Sequence, residues 1–293
     1  MARTRPFVVS EALYPFEDHW FERDGSAMHY LDHGESETPV VMFHGNPTWS
    51  FLYRDIIKEL GTGVRCVAGD YPGFGFSDHP PGYGYTPEEH VEWVEAWLGS
   101  LDLPPFVMVV QDWGGPIGLS YAVRHPEQIA GLVVLNTWAW PTDWKGTVFS
   151  SFLGGPIGKY LNLQKNFFAD KIVKGGMYYA KRKSPEVFRA YTDPFPGPRE
   201  RMGTYVFPRA IRKSVAMLTE LERDLVALRD VPAELVWGMK DQAFGSEEYI
   251  TRWRSLLPGA PVTRLDKASH YLQEDQPEVI ADAIRRRLEE SPR

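Results

Sequence analysis

Phe106-Val107-Met108-Val109-Val110-Gln111-Asp112-Trp113-Gly114-Gly115-Pro116-Ile117-Gly118 decides how the rest of the chain is read. Five apolar residues run without alternation, as in a strand buried on both faces, and the small residues that follow predict the start of a helix. The junction residue therefore sits on a sharp strand-to-helix turn, a nucleophile elbow. There a side chain projects above the sheet and lies near the first N–H groups of the helix. Many hydrolases carry serine at this point; this chain carries Asp112. A serine there makes acyl enzymes, whereas an aspartate makes alkyl esters. A carboxylate oxygen displaces a leaving group from an sp3 carbon, and water then opens the ester at its carbonyl carbon, splitting one hard displacement into two easier steps. The substrates implied carry an electrophilic saturated carbon.

Outward from the elbow, strand-like runs recur at 40–43, 64–68, 132–135, 233–237 and 262–265, with 16–31 reading as a leading antiparallel meander. Helix-compatible stretches at 50–60, 87–101, 115–125, 246–257 and 277–289 alternate with them. This alternation predicts an α/β protein with a mostly parallel central sheet flanked by helices. It stops after Trp138. Residues 139–214 are rich in aromatics, Lys and Pro, lack clear strand signals, and have helix-like pieces at 158–174 and 185–190. The block is too long for a plain loop. It predicts a helical cap, 139–214, inserted after the sixth strand into a core made of 1–138 and 215–293.

With 43% hydrophobic and 24% charged residues among 293, the composition is that of a globular protein with a substantial core. The 39 acidic against 32 basic residues give a net charge of −7, which argues against nucleic-acid binding and against a basic membrane-binding face. Cys66, the one cysteine, lies in an apolar stretch and reads as a buried structural thiol compatible with a reducing compartment. Met1-Ala2-Arg3-Thr4-Arg5-Pro6 opens like a secretory leader without the apolar segment a leader needs, and no run approaches the ~18 residues of a membrane span. The expectation is a soluble cytoplasmic protein, with oligomeric state unread.

In open parallel sheets, sites form at the carboxyl ends of strands. Four runs end in suggestive groups: His44-Gly45-Asn46-Pro47-Thr48-Trp49, then Asp112-Trp113, then Gly238-Met239-Lys240-Asp241, and finally Ala268-Ser269-His270-Tyr271. The order is nucleophile, acid, histidine, as in α/β-hydrolase triads. An imidazole is suited to taking a proton from water, and a carboxylate such as Asp241 orients it and stabilises the imidazolium. A departing anion needs neutral, polarised donors in a dry pocket, and the Asn46 amide and Trp113 indole N–H groups have that character. His44 reads as a structural turn residue.

Together His44-Gly45-Asn46-Pro47-Thr48-Trp49-Ser50, Asp70-Tyr71-Pro72-Gly73-Phe74-Gly75-Phe76-Ser77-Asp78 and Val110-Gln111-Asp112-Trp113-Gly114-Gly115 resemble the haloalkane dehalogenase family of the α/β-hydrolase fold. The resemblance runs from about residue 16 to the C-terminal helix. It implies that Asp112 attacks the halogen-bearing carbon, that His270 activates water against the alkyl ester, and that Asp241 is the acid. The alternative acid position, after the strand ending near Leu135, holds Asn136, which cannot be an anion. The pattern most resembles the subgroup that combines an aspartate acid with an Asn46 and Trp113 halide pair. The backbone N–H groups of Asn46 and Trp113 are the candidate oxyanion donors, and Trp138, Phe167, Phe168 and Phe207 the candidate pocket wall. Trp140, Phe149, Phe152 and Phe244 are further aromatics for it, and a second tryptophan, Trp138, Trp140 or Trp144, is open as a halide contact. No metal and no cofactor is expected; the partners are an apolar halogenated substrate, water and halide.

Three competing functions are weighed. A fluoroacetate-type dehalogenase would need a basic, carboxylate-binding site, and Trp113 after Asp112, where such enzymes tend to carry arginine, argues against it. Epoxide hydrolysis uses the same nucleophile with cap tyrosines as acids, for which Tyr160, Tyr178, Tyr179, Tyr191 and Tyr205 are candidates; Asn46 and Gln111 fit the dehalogenase pattern better. A receptor that retains the fold to bind a small apolar signal is the non-enzyme reading, and the intact triad disfavours it.

Overall fold

The structure, a computed structural model, describes residues 3–291; Met1 and Ala2 of the leader-like segment lie outside them. Among the described residues eight strands form one sheet: β1 (His19–Arg23), β2 (Ser26–His33), β3 (Val40–Phe43), β4 (Cys66–Gly69), β5 (Phe106–Gln111), β6 (Ile129–Leu135), β7 (Ala233–Gly238) and β8 (Val262–Leu265). Their order is β1-β2-β4-β3-β5-β6-β7-β8. The meander is a hairpin, β1 and β2, that runs on antiparallel to β4; every other pairing is parallel. Its two-residue turn is Asp24-Gly25, with φ of 51° and 76°, the left-handed pair that suits the twist of a hairpin.

Both faces of the parallel strands are buried, which is why they carry no polar alternation. Val41, Phe43, Met108, Val110 and Val134 pack with Val91, Trp97 and Ile117 on one side. Val40, Met42, Val107, Val109 and Val133 pack with Ile56, Ile57, Ile280 and Ile284 on the other. Each such side chain contributes roughly 1.5–3 kcal/mol on full burial. Helix Pro87–Ser100 opens with a capping box: the Thr86 hydroxyl accepts from Glu89 N while the Glu89 carboxylate accepts from Thr86 N. No helix among the described residues is long and apolar enough to cross a membrane.

Strand endings are staggered in register so that the carboxyl ends of β3, β5, β6, β7 and β8 share one edge: Phe43 faces Val110, Gln111 faces Leu135, and Gly238 faces Leu265. Between β6 and β7 the described chain is helical, with Trp144–Leu153, Pro156–Lys165, Pro185–Thr192 and Met202–Lys213 the longest pieces before Val215–Asp224. Three sequence expectations change here. The 158–174 helix is divided, because Asn166 adopts a left-handed backbone (φ 51°) that ends Pro156–Lys165 before a π turn at Phe168–Ile172. The 50–60 helix begins as a 3-10 turn at Ser50–Tyr53 and becomes α-helical at Arg54–Leu60. Phe244 belongs to the loop after β7, not to the 139–214 block.

Candidate active site

Asp112 has φ of 48°, the left-handed conformation that a tight strand-to-helix junction imposes on a non-glycine residue. The turn is held by Asp112 N donating to Asn136 O, Gly115 N donating to Asp112 O, and the Thr137 hydroxyl donating to Asp112 O. It tolerates no side chain beside it. A Cβ at Gly114 would lie 2.1 Å from Phe43 O, and one at Gly45 would lie 2.3 Å from Asp112 Oδ2. Gly45 thus lets the β3 loop close directly over the carboxylate.

Two backbone N–H groups meet that carboxylate, from Asn46, at 2.7 Å to Oδ2, and from Trp113. The other oxygen, Oδ1, lies 3.9 Å from His270 Nε2. Burial pushes the Asp112 carboxyl above its usual range, and the His270 charge and the two N–H donors offset only part of this.

His270, after β8, donates from Nδ1 to Asp241 Oδ2 at 2.9 Å. Asp241 is fixed in turn: Asn136 Nδ2 donates to Oδ2 at 2.8 Å, and Ala243 N donates to Oδ1 at 2.8 Å. Burial alone would raise the Asp241 carboxyl, but His270 and these donors outweigh it and hold it below the usual range. For His270, burial works downward, and Asp241 and Asp112 overcome it to raise the imidazole above 6.5. Asn136, at the end of β6, was readable only as a residue that cannot be an acid. It is instead a clamp on Asp241, with its oxygen accepting from Gly238 N at 2.7 Å.

The Trp113 ring stacks on Phe207 at 5.2 Å between centroids and meets the Trp138 edge at 4.8 Å. Trp138 stacks on Phe244 at 5.2 Å, and Phe244 lies 5.7 Å from the His270 ring. Trp138, Phe207 and Phe244 are therefore brought beside the expected triad, and Trp138 Nε1 is a buried donor without a partner among the described residues. Phe168 is buried and Phe167 half-buried, but neither has a ring contact to these groups among the described residues. Trp144, Phe149 and Phe152 are exposed.

Asn46 is buried, and its Nδ2 points to Thr204 O at a long 3.4 Å, with Oδ1 unpartnered. That carbonyl is available because Pro208 lies four residues later inside helix Met202–Lys213 and has no N–H to give it. His44 is fully buried, with Nδ1 bonded to Gly45 O and Nε2 accepting from Tyr71 N; burial lowers it to about 4, so it is a neutral structural group.

The chain between β6 and β7 is tied to this edge by ionic and backbone bonds. Glu274, fully buried, takes both guanidinium nitrogens of Arg54, the Lys183 ammonium at 2.7 Å and the Tyr191 hydroxyl. Burial would raise Glu274, and these cations instead hold it at about 2. Asp275 accepts from Ser269 N, Tyr178 N and Tyr179 N, each at 2.9 Å, so one carboxylate joins the His270 loop to the 139–214 block. Sequence reading missed both residues; the run Gln273-Glu274-Asp275 looks like an ordinary exposed helix turn.

Comparison with known proteins agrees with this geometry. Residues 38–277 match the model of the alpha/beta hydrolase fold family. Haloalkane dehalogenase 2 of Mycobacterium tuberculosis is 39% identical over 280 residues, covering 95% of this chain and 97% of that protein. The chain belongs to the haloalkane dehalogenase family. A cis-3-alkyl-4-alkyloxetan-2-one decarboxylase of Shewanella oneidensis is 33% identical over 96% of this chain and 91% of its own length. The crystal structure of haloalkane dehalogenase DbeA from Bradyrhizobium elkani superposes with a TM-score of 0.85 at 27% identity, over 94% of this chain and all of that one. As a haloalkane dehalogenase relative, the chain carries the α/β-hydrolase fold with its eight-stranded, mostly parallel sheet.

Proposed function

We propose that this enzyme hydrolyses a haloalkane to an alcohol, a halide ion and a proton through an alkyl ester of Asp112. The observation that carries the reading is the division of labour at one carboxylate: Oδ2 is held by the Asn46 N–H at 2.7 Å, with the Trp113 N–H also acting on the carboxylate, while Oδ1 faces His270 across 3.9 Å. Oδ1 attacks carbon, and the C–halogen bond breaks. The departing halide is received by the Trp113 indole N–H and by Asn46 Nδ2, whose bond to Thr204 O is long enough to exchange. Oδ2 becomes the ester carbonyl oxygen, already seated on the Asn46 N–H, which with the nearby Trp113 N–H can stabilise it when water adds. His270 Nε2 takes the water proton, and Asp241 balances the resulting imidazolium. The tetrahedral intermediate collapses by cleaving the bond between Cγ and Oδ1, so the alcohol oxygen comes from Asp112.

Electrostatics fit this sequence of steps. The charges of Asp241 and Asp112 both raise His270 in the resting enzyme. Alkylation removes the Asp112 charge, so the base becomes easier to keep neutral in the intermediate that needs it.

The pocket wall in this reading is Trp138, Phe207 and Phe244, and Trp138 Nε1 is available as a further donor beside Trp113. Phe167 and Phe168 have weaker support. Residues 139–214 act as the cap over a core of 1–138 and 215–293, latched through Glu274 and Asp275. The epoxide alternative loses ground at four of its five candidate acids: the Tyr205 hydroxyl bonds Gly154 O, that of Tyr191 bonds Glu274, and Tyr160 and Tyr178 face solvent.

The test is incubation of the purified enzyme with 1-bromobutane, 1,2-dibromoethane, styrene oxide and a cis-3,4-dialkyloxetan-2-one, against an Asp112→Ala control. Asp112-dependent halide release is the expected result. Diol alone would move the assignment to epoxide opening, and alkene alone to lactone decarboxylation. A single turnover in ¹⁸O-water should label Asp112 and leave the first alcohol unlabelled.

A further inference from the structure

We propose that Gln111 is a positioning residue that keeps the His270 imidazole neutral, with its Nε2 lone pair directed into the site. The proposal rests on the hydrolytic reading above and assigns a device for its second step.

Gln111 ends β5 and is fully buried. Its Nε2 lies 3.1 Å from His270 O and 3.2 Å from His270 Nε2. A backbone oxygen only accepts, so the amide nitrogen must face it, and this fixes which way the amide points. The opposite side of the ring donates from Nδ1 to Asp241. His270 Nε2 can therefore bond Gln111 only as an acceptor, which selects the neutral tautomer carrying its proton on Nδ1.

Protonating Nε2 would place a donor against a donor. Turning the Gln111 amide over would relieve that contact but set its oxygen against His270 O, so neither orientation suits the imidazolium. The charged and titratable groups facing His270 are Asp241 from the β7 loop, Asp112 from the elbow and Tyr271 beside it, with the apolar Phe244 ring completing the surroundings. Both carboxylates favour the charged ring. Burial opposes them, and Gln111 is the side chain that adds to that opposition; it is an expensive one to keep in place: its Oε1 is buried without a partner, at the end of a strand otherwise composed of Phe, Val and Met. At 3.2 Å the bond to Nε2 is long, so an incoming water can take the lone pair while Gln111 keeps its bond to His270 O.

The experiment follows one turnover with 1-bromobutane by rapid quench, reading the halide burst for alkylation and alcohol release for hydrolysis across pH. Gln111→Met keeps the shape and removes the donor; Gln111→Glu keeps the shape and supplies an acceptor. In Gln111→Met the acid limb of hydrolysis should move up by about 1 pH unit, making hydrolysis ~10-fold slower below the limb, with the burst kept near one equivalent. Gln111→Glu should move it further. An unmoved limb in both variants with the burst intact overturns the proposal, because a packing role would leave the limb in place. ¹⁵N spectra of the native enzyme give a reading independent of either variant: a neutral ring protonated on Nδ1 at pH 7.5 supports the proposal, and an imidazolium overturns it. Absence of any halide burst from the native enzyme removes the hydrolytic reading itself.

Discussion

Asp241→Asn tests the proposed acid most directly, because both oxygens of Asp241 are held by fixed donors. Oδ1 takes Ala243 N, and Oδ2 takes both Asn136 Nδ2 and His270 Nδ1. Asn136 cannot turn round, since its own oxygen is held by Gly238 N. An asparagine at 241 therefore sets its NH2 against a donor in either orientation. With the NH2 toward Ala243, one buried N–H loses its acceptor, at a cost of about 1–3 kcal/mol. With the NH2 toward His270, the ring must move its proton to Nε2, which removes the lone pair that water needs. In both cases the imidazolium loses its counter-charge. By comparison with serine triads, hydrolysis should fall by ~10⁴-fold, or about 5 kcal/mol. Alkylation by Asp112 needs no base and should survive. Rapid-quench measurement should therefore show one equivalent of halide per site released as a burst, followed by almost no turnover. Equal losses in alkylation and hydrolysis, or a loss in hydrolysis below ~10-fold, would refute the assignment of Asp241 as the partner of His270.

Replacing His270 with Gln should leave the first step and accumulate an enzyme heavier by one alkyl group, visible by intact mass after exposure to 1-bromobutane. Trp113→Phe keeps the rings packed on Phe207 and Trp138 while deleting the N–H, and should slow halide release by ~10²–10³-fold in single turnover. Pro208→Ala returns a helical N–H to Thr204 O and so removes the acceptor that halide must displace from Asn46 Nδ2; halide binding read by tryptophan quenching should tighten while the fold is retained. Glu274 is held at about 2 against an ordinary 4.5, so its ion pairs contribute stability fully present above pH 4.5 and lost as pH falls toward 2. Glu274→Ala should therefore cost about 3 kcal/mol in neutral urea unfolding, because Arg54 is left buried with Asp55, at 3.1 Å, as its remaining carboxylate, and that loss should shrink below pH 4.5. An unchanged urea midpoint would remove Glu274 as the latch.

The chemistry-bearing turn was legible because it is local. An apolar run fully buried on both faces, a junction residue and small residues that permit close approach are all neighbours in the chain, and a left-handed Asp112 beside Gly114 realises that pattern. That Asp112, Asp241 and His270 meet was equally readable, since parallel strands deliver their carboxyl ends to one edge. Helix Met202–Lys213 gave no such signal, because Pro208 sits at its centre, and Pro156–Lys165 was overrun in the reading because Asn166 stops it by backbone conformation rather than by a proline.

What only the tertiary structure decided are pairings between residues far apart in sequence. Asn136 meets Asp241 across 105 positions, Gln111 meets His270 across 159, and Glu274 meets Arg54 across 220. No local propensity encodes such a pair, because each residue satisfies ordinary rules where it stands and acquires its partner only when strands and loops are brought to one edge. The pocket wall shows the same limit. Phe207 stacks on Trp113 while Phe167 and Phe168 stay apart from it, a choice made by how the helices between β6 and β7 dock and not by any difference among three phenylalanines in the chain.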